Sequence, residues 1–194
     1  MGENEKNLPS NRLVWMDLEM TGLEPEHDTI IEMATIITDG ELNIIAEGPE
    51  IAIRQDAALF AGMDDWNKEH HTKSGLWQKV VTSKISLQQA EAETLAFIKL
   101  HCGAKESPLC GNSIWQDRRF LVRYMPQIEA YMHYRLVDVS TIKELAVRWY
   151  PELKFAKKKG SHRALDDIRE SVDELKFYRQ HLFRATAPAD KGQP

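Results

Sequence analysis

The sequence is poor in cysteine and has no long apolar segment. It contains 2 cysteines among 194 residues, Cys102 and Cys110, too few for a disulfide framework and not spaced like zinc ligands. We expect both thiols in the core of a protein from a reducing compartment. No run of about 18 apolar residues occurs, and the amino end has no charged segment followed by an apolar one. We therefore expect no membrane span, no secretion and a cytoplasmic location.

An excess of positive charge is also missing. The formal net charge is −5, whereas proteins that follow long nucleic acids usually carry a basic stripe. Positive charge is concentrated instead around His162, at Lys154, Lys157, Lys158, Lys159 and Arg163. Such a segment suits a short anionic ligand, and it equally suits a solvated loop.

The composition is that of an ordinary globular protein. With 42% hydrophobic and 28% charged residues, the chain is long enough for one domain with a sizeable core. We expect a single domain over residues 11–184. The ends at 1–10 and 185–194 are predicted to be disordered, the second because it combines proline with small and polar residues.

The apolar periodicity changes character along the chain. Alternation predicts strands at 12–20, 30–39 and 43–54, and Asp39-Gly40 is a turn signal between the last two, so this half should be antiparallel. A helix beginning at Ser86 follows, and then short strands at Leu109 and at 136–139 alternate with helices. Alternating strands and helices favour parallel pairing, so the fold class is α/β with a mixed sheet.

Two acids stand at the end of the first predicted strand. The period of two assigns Val14, Met16, Leu18 and Met20 to one face, predicted as core, and Trp15, Asp17 and Glu19 to the other, predicted as a site. Carboxylates about 7 Å apart along a strand repel, and burial raises their pKa unless a cation neutralises them. Oxygen ligands of this kind suit Mg²⁺ or Mn²⁺. Taken alone, Asp-x-Glu is more typical of an edge strand with two solvated acids, because the pattern is short.

Further along, two segments supply the acids that such a site needs. Asp117 follows a Gly-Asn-Ser turn at 111–113, and His162 precedes Asp167 at the start of the last long helix. Two cations about 4 Å apart can hold the attacking water and the leaving oxygen of a phosphodiester. A histidine that titrates near neutrality can take the proton of the water. Each residue alone fits a solvated position, whereas together they predict a metal-dependent nuclease.

The same three segments resemble the motifs of the DEDDh 3′-to-5′ exonucleases, members of the ribonuclease H-like superfamily. They are Asp-Leu-Glu-Met-Thr-Gly-Leu at 17–23, the segment at 111–120, and His-x-x-x-x-Asp at 162–167, and the similarity extends over about 12–183. The resemblance implies a five-stranded mixed sheet flanked by helices, with the first three strands antiparallel and the last two parallel. It also implies a site at the end of the first strand and release of nucleoside 5′-monophosphates.

The resemblance gives each motif residue a role. Asp17, Glu19 and Asp167 would hold the cation that activates water. Asp17 and Asp117 would serve a second cation at the leaving oxygen, so that the site takes two divalent ions, Mg²⁺ or Mn²⁺. His162 would be the general base, and Asp166 would belong to the start of the helix.

The resemblance is closest to the branch that degrades very short 5′-phosphorylated RNA, dinucleotides especially. Seven residues would then contact the substrate: Leu23 and Trp66 against the bases, His71 and Ser113 on phosphate, and Tyr134, Arg135 and Ser140 from the partner subunit. This implies a homodimer with composite sites and no other obligatory protein partner. Aromatic faces stack on any base, which gives affinity without sequence preference.

Two other functions remain open at this stage. One is a DEDDh exonuclease for longer DNA or RNA, such as a proofreading or tRNA-trimming enzyme, which the acidic charge and the seven substrate residues disfavour. The other is a catalytically silent module that binds RNA or dinucleotides, which the full set of four acids and His162 disfavours. Hydrolysis rates on substrates of graded length separate these functions.

Overall fold

The computed structural model describes residues 11–156 and 163–183. The two ends predicted to be disordered lie outside the described residues, as do His162 and the neighbouring lysines Lys157, Lys158 and Lys159. No helix within the described ranges is long and apolar enough to cross a membrane.

Five strands form one mixed sheet. They are β1 (Arg12–Met20), β2 (Ile30–Asp39), β3 (Ile44–Ala52), β4 (Leu109–Gly111) and β5 (Leu136–Asp138), in the order β3-β2-β1-β4-β5. The first three strands pair antiparallel, whereas β4 pairs parallel with both β1 and β5. The predicted fold class is confirmed, and the bounds of β1 and β2 are those predicted. The third strand is shorter than its predicted range of 43–54.

Eight helices surround the sheet in the described part of the chain: α1 (Leu59–Gly62), α2 (Asp65–Lys73), α3 (Leu76–Thr82), α4 (Leu87–His101), α5 (Ile114–Tyr124), α6 (Pro126–Tyr131), α7 (Val139–Trp149) and α8 (Ala164–Leu182). As predicted, α4 begins after Ser86, whose side chain accepts the N–H of Gln89. Likewise Asp64 accepts the N–H of Asn67 at the start of α2, a helix that the apolar pattern did not indicate.

The sheet is buried on both faces. On one face, Val14, Met16 and Leu18 pack in a cluster with α4, α5 and α6. On the other face, Trp15 is 0% exposed, packs against α7 and α8 and donates its indole N–H to Thr38 Oγ1 at 2.9 Å. The prediction that only the first face is core is therefore wrong, because α8 also covers the face that carries the acids. Cys102 and Cys110 are buried free thiols, one in each cluster.

Candidate active site

Three carboxylates meet where β1 ends beneath α8. Asp17 and Glu19 stand on the Trp15 face of β1, and Asp167 lies in the first turn of α8. One carboxylate oxygen from each of the three lies within 4.8 Å of the others. Asp117, in the first turn of α5, is buried beside them, and its Oδ1 accepts the backbone N–H of Leu18 at 2.9 Å. The structure thus brings all four predicted acids to one place.

The parallel pairing of β1 with β4 brings α5 to this site. Gly111, the last residue of β4, lies close to β1, because a Cβ there would be only 3.0 Å from the Met16 carbonyl oxygen, tighter than an ordinary contact. Ser113 follows with φ 51°, a left-handed conformation that reverses the chain just before α5. On the other side, Ala164, Ile168 and Val172 form the buried stripe that seats α8 on the sheet.

The crowding of these carboxylates changes their proton affinities. Removal from water raises the pKa of Asp17 well above its usual range, and the charges of Asp117, Glu19 and Asp167 raise it further. Burial and then Glu32 raise the pKa of Glu19 to about 8. Burial raises the pKa of Asp117 to about 7, against the opposing hydrogen bond from Leu18. Close-packed oxygen ligands that resist ionisation fit a divalent cation, which would neutralise them.

Glu32 is a fifth acid that the sequence analysis did not select. It faces Glu19 across the β1–β2 pair, is buried, and accepts the backbone N–H of Ala164 at 3.5 Å. It therefore serves the beginning of α8, where no side chain of the helix itself caps the end. The sequence did contain a signal for Glu32, because it is an acid within the otherwise apolar run at 30–37.

A polar cavity of about 290 Å³ opens beside the acids, between α7, α8 and the turn after β4. Its walls are formed by Asp17, Asn112, Ser113, Ser140, Lys143, Asp167, Glu170, Ser171 and Glu174. Of these, Lys143, Glu170, Ser171 and Glu174 were not recognised from the sequence, and Asn112 was recognised only as part of a motif. On α8 the polar residues recur at i, i+3, i+4 and i+7 from Asp167, and this polar stripe was the signal available.

Ser113 and Ser140 lie together in this cavity. The Ser113 N–H donates to Ser140 Oγ at 2.9 Å and to Asp138 Oδ1 at 3.0 Å, and the two hydroxyl oxygens are 3.1 Å apart. Ser140 was expected to reach the site of the partner subunit. The structure instead places it in the cavity of its own chain, because the Asp138 carboxylate accepts N–H groups from both serines.

Leu23 and Trp66 are exposed, at 65% and 66%. The Leu23 carbonyl accepts hydrogen bonds from Gln116 and Arg119 on α5, so the loop that carries Leu23 is fixed to the helix that carries Asp117. Trp66 stacks on His70 with ring centroids 4.4 Å apart. Both apolar side chains are therefore presented to solvent from anchored backbone.

His71 is buried at 1% exposure, and its Nε2 lies 2.9 Å from the Met20 carbonyl oxygen. This contact ties α2, which carries Trp66, to the end of β1. Burial lowers the pKa of the ring. A carbonyl oxygen only accepts, so Nε2 must be the protonated nitrogen and Nδ1 of the neutral ring carries no proton. Nδ1 has no hydrogen-bond partner among the described residues. The expected phosphate contact through Nδ1 would need the imidazolium form.

Tyr134 and Arg135 do not line this cavity. They precede β5, at the opposite end of that strand from Asp138. Tyr134 is 69% exposed. The Arg135 guanidinium lies 5.4 Å from the centre of the Tyr134 ring and donates to the Tyr134 hydroxyl at 3.1 Å. His162, the predicted base, lies outside the described residues and directly precedes Arg163.

The chain matches a family model described as exonuclease over residues 14–175. It is 60% identical over 182 residues to an oligoribonuclease of Pseudomonas syringae pv. tomato, covering 94% of this chain and 99% of the relative. It is 58% identical over 177 residues to an oligoribonuclease of Pseudomonas aeruginosa PAO1, covering 91% and 98%.

Solved structures of exonuclease I share the fold. For the enzyme from Methylocaldum szegediense the TM-score is 0.63 at 19% identity, covering 88% of this chain and 41% of the other. For the zinc-bound complex of Escherichia coli exonuclease I with single-stranded DNA it is 0.65 at 12% identity, covering 89% and 41%. The chain thus spans about two fifths of those proteins, and at these identities the likeness concerns the fold alone.

The raised pKa of Glu19 makes the stability of the metal-free protein depend on pH. The folded protein keeps this proton up to about pH 8, whereas a free glutamate releases it near 4.5. The free energy of unfolding should therefore fall as pH rises through that window. In EDTA at pH 8 we expect Glu19→Gln to melt roughly 3 °C or more above the wild type. At pH 4.5 and below the difference should vanish.

Glu26→Gln, a change at an exposed acid, is the matched control and should leave the melting temperature unchanged at both pH values. Thermal unfolding followed by circular dichroism is the measurement. An equal gain for Glu19→Gln at low and high pH would contradict the electrostatic explanation.

Proposed function

Because the chain belongs to the exonuclease family, and within it to the oligoribonucleases, we propose that it hydrolyses very short RNA, dinucleotides especially, from the 3′ end to nucleoside 5′-monophosphates. The observation that carries this proposal is the meeting of Asp17, Glu19 and Asp167 within 4.8 Å, in a chain aligned with 99% of an oligoribonuclease. The proposal covers the hydrolytic reaction, the degradation from the 3′ end and the choice of very short RNA as substrate.

The acids divide into two sets of ligands. Asp17, Glu19 and Asp167 would hold one divalent cation, and Asp17 with Asp117 a second one, with Mg²⁺ or Mn²⁺ favoured by the all-oxygen donors. When bound, the cations would supply Lewis-acid stabilisation of the scissile phosphate and of the leaving oxygen. The protein itself fixes the positions of the acids. Leu18, the residue between the two acids of β1, donates its N–H to Asp117.

We assign the general base to His162. Arg163, the next residue, is joined to Glu50 by two hydrogen bonds of 3.2 and 3.1 Å. Arg163 is therefore tethered to β3. The imidazole of His162 would take the proton of the attacking water, and a base of pKa near neutrality suits that transfer.

Leu23 and Trp66 would hold the two bases. Their exposure makes them available, and the backbone around each is anchored, by Gln116 and Arg119 beneath Leu23 and by the His71 contact near Trp66. Stacking and apolar contact are worth about 1–3 kcal/mol per base and are independent of sequence. Two such positions fit a dinucleotide.

The end of the substrate would be recognised by phosphate contacts and by a partner subunit. Ser113, Ser140 and His71 would bind phosphate within one chain, where the phosphate charge would favour the imidazolium that burial disfavours. Tyr134 and Arg135 would reach the site of the second subunit. A homodimer is supported by an apolar cavity of about 650 Å³ beside β5, an edge strand of the sheet. Exposed Trp115 and Phe183 line it.

A length series tests the substrate. For 5′-phosphorylated RNAs of two to about ten nucleotides, we expect kcat/KM to fall by about tenfold or more beyond the shortest members, because longer chains cannot pass a closed 5′ end. Asp17→Asn should be nearly inactive at every length. Rates that are flat or rise with length would contradict the proposed specificity and favour an exonuclease for long chains.

Removal of the proposed base should slow chemistry and spare metal binding. We expect His162→Ala to lower kcat by about 10² to 10⁴ and to remove the acidic limb of the pH profile. The rise in melting temperature caused by Mn²⁺ should be that of the wild type. If His162→Ala lost the Mn²⁺ effect and turnover to the same degree, His162 would be a ligand instead.

Composite sites predict complementation between two inactive parents. In a heterodimer of Asp17→Asn with Arg135→Ala, one site would carry both lesions and the other would be intact if Arg135 acts in trans. The heterodimer, purified through two different tags, should then have about half of the wild-type activity per dimer, because one of its two sites is intact. If Arg135 acts in cis, each site carries one lesion and the purified heterodimer stays inactive.

A further inference from the structure

Lys143 lies in the polar cavity and has no part in the mechanism above. It follows Ser140 by one helical turn on α7, so the two side chains share a face of the helix. Among the described residues that line the cavity, Lys143 is the one cation, while Asp17, Asp167, Glu170 and Glu174 are acids. Apart from the cations that Asp17 and Asp167 would hold, Lys143 is thus the source of positive charge that these lining residues offer to an anionic substrate.

A buried carboxylate holds Lys143 in place. Glu174 is 0% exposed, and its Oε1 lies 3.2 Å from Lys143 Nζ and accepts the Tyr178 hydroxyl at 3.1 Å. Its Oε2 accepts the Asn112 amide at 3.1 Å. Both oxygens of Glu174 are thus occupied. The ammonium group of Lys143 has three donors, so that donors remain for a ligand.

The same carboxylate sets the direction of a chain of hydrogen bonds. An ionised carboxylate only accepts, so Asn112 must turn its NH₂ group towards Glu174 and Ser171 and its carbonyl oxygen towards Ser140. The Ser140 hydroxyl therefore donates to Asn112 at 3.1 Å. Its oxygen already accepts the Ser113 N–H. The Ser113 hydroxyl, whose oxygen is 3.1 Å from Ser140 Oγ, must then donate its hydrogen to that oxygen.

We propose that Lys143 binds the 5′ phosphate of the short RNA in the cavity that it shares with Ser113, and that Glu174 is the positioning residue for Lys143. The inference rests on the proposed function and deepens it. Lys143 supplies charge, and the hydrogen-bonded pair Ser113 and Ser140 lines the same cavity. A terminal phosphate, which carries more charge than an internal phosphodiester, gains most from an ion pair with Lys143.

The test compares two substrates that differ only at the 5′ end, a dinucleotide with a 5′ phosphate and the same dinucleotide with a 5′ hydroxyl. The quantity measured is the ratio of their KM values. For the wild type we expect the phosphate to lower KM by about tenfold or more, as a charge-assisted hydrogen bond does. In Lys143→Met the ratio should fall towards one.

Three variants keep the result interpretable. Lys143→Arg keeps the ion pair with Glu174 and should keep most of the ratio, which guards against misfolding of Lys143→Met. Lys84→Met removes the same charge from an exposed position between α3 and α4 and should keep the wild-type ratio. Glu174→Gln should lower the ratio, and the double change with Lys143→Met should lower it no further than Lys143→Met alone.

The outcomes separate this inference from the proposed function. An unchanged ratio in Lys143→Met, or equal losses on both substrates, overturns the 5′ phosphate contact while hydrolysis of short RNA stands. Additive losses in the double variant overturn the positioning role of Glu174. If the wild type hydrolyses neither dinucleotide, the proposed function fails, and the same ratio measured as Kd by calorimetry still decides the role of Lys143.

Discussion

Mutual repulsion among the carboxylates at the end of β1 is the constraint that the remaining structure has to satisfy. Asp17, Glu19 and Asp167 are brought within 4.8 Å, partly out of water, where each disfavours ionisation of the others. The fold opposes this with fixed dipoles. Asp117 and Asp167 both stand in first helical turns, where the positive end of the helix dipole favours an anion. The apolar clusters on both faces of the sheet supply the remaining stability.

Much of the sheet could be predicted from local pattern, and the rest required pairing that no local pattern contains. The bounds of β1 and β2 follow from alternation, which is strongest in long strands. The position of β4 beside β1 depends on only two paired positions, Val14 with Leu109 and Trp15 with Cys110. The short helices α1, α2 and α3 were missed, because α2 is mostly polar and α1 has only four residues.

The site, like the sheet, was predictable from the sequence only in part. The four acids could be selected because each belongs to a motif with fixed spacing. Asn112 and Glu174 could not be paired, since they are 62 residues apart and meet only after β4 and α8 pack together. For Ser140 the resemblance suggested the partner subunit, whereas the hydrogen bonds of Asp138 hold it in its own chain. Trp15 was assigned to the wrong environment, because one strand read alone does not reveal a helix above its second face.

The register of β1 limits how this enzyme can diverge. The strand pairs with β2 without a break from Arg12–Asp39 to Glu19–Glu32, and both of its faces are packed. A deletion of one residue within β1 would exchange the two faces, so that carboxylates enter the apolar cluster and methionines face α8. A deletion of two would restore the faces but shift the acids about 7 Å along the sheet, out of reach of Asp167. The packing of both faces of β1 therefore fixes the number of residues between the start of the strand and its acids.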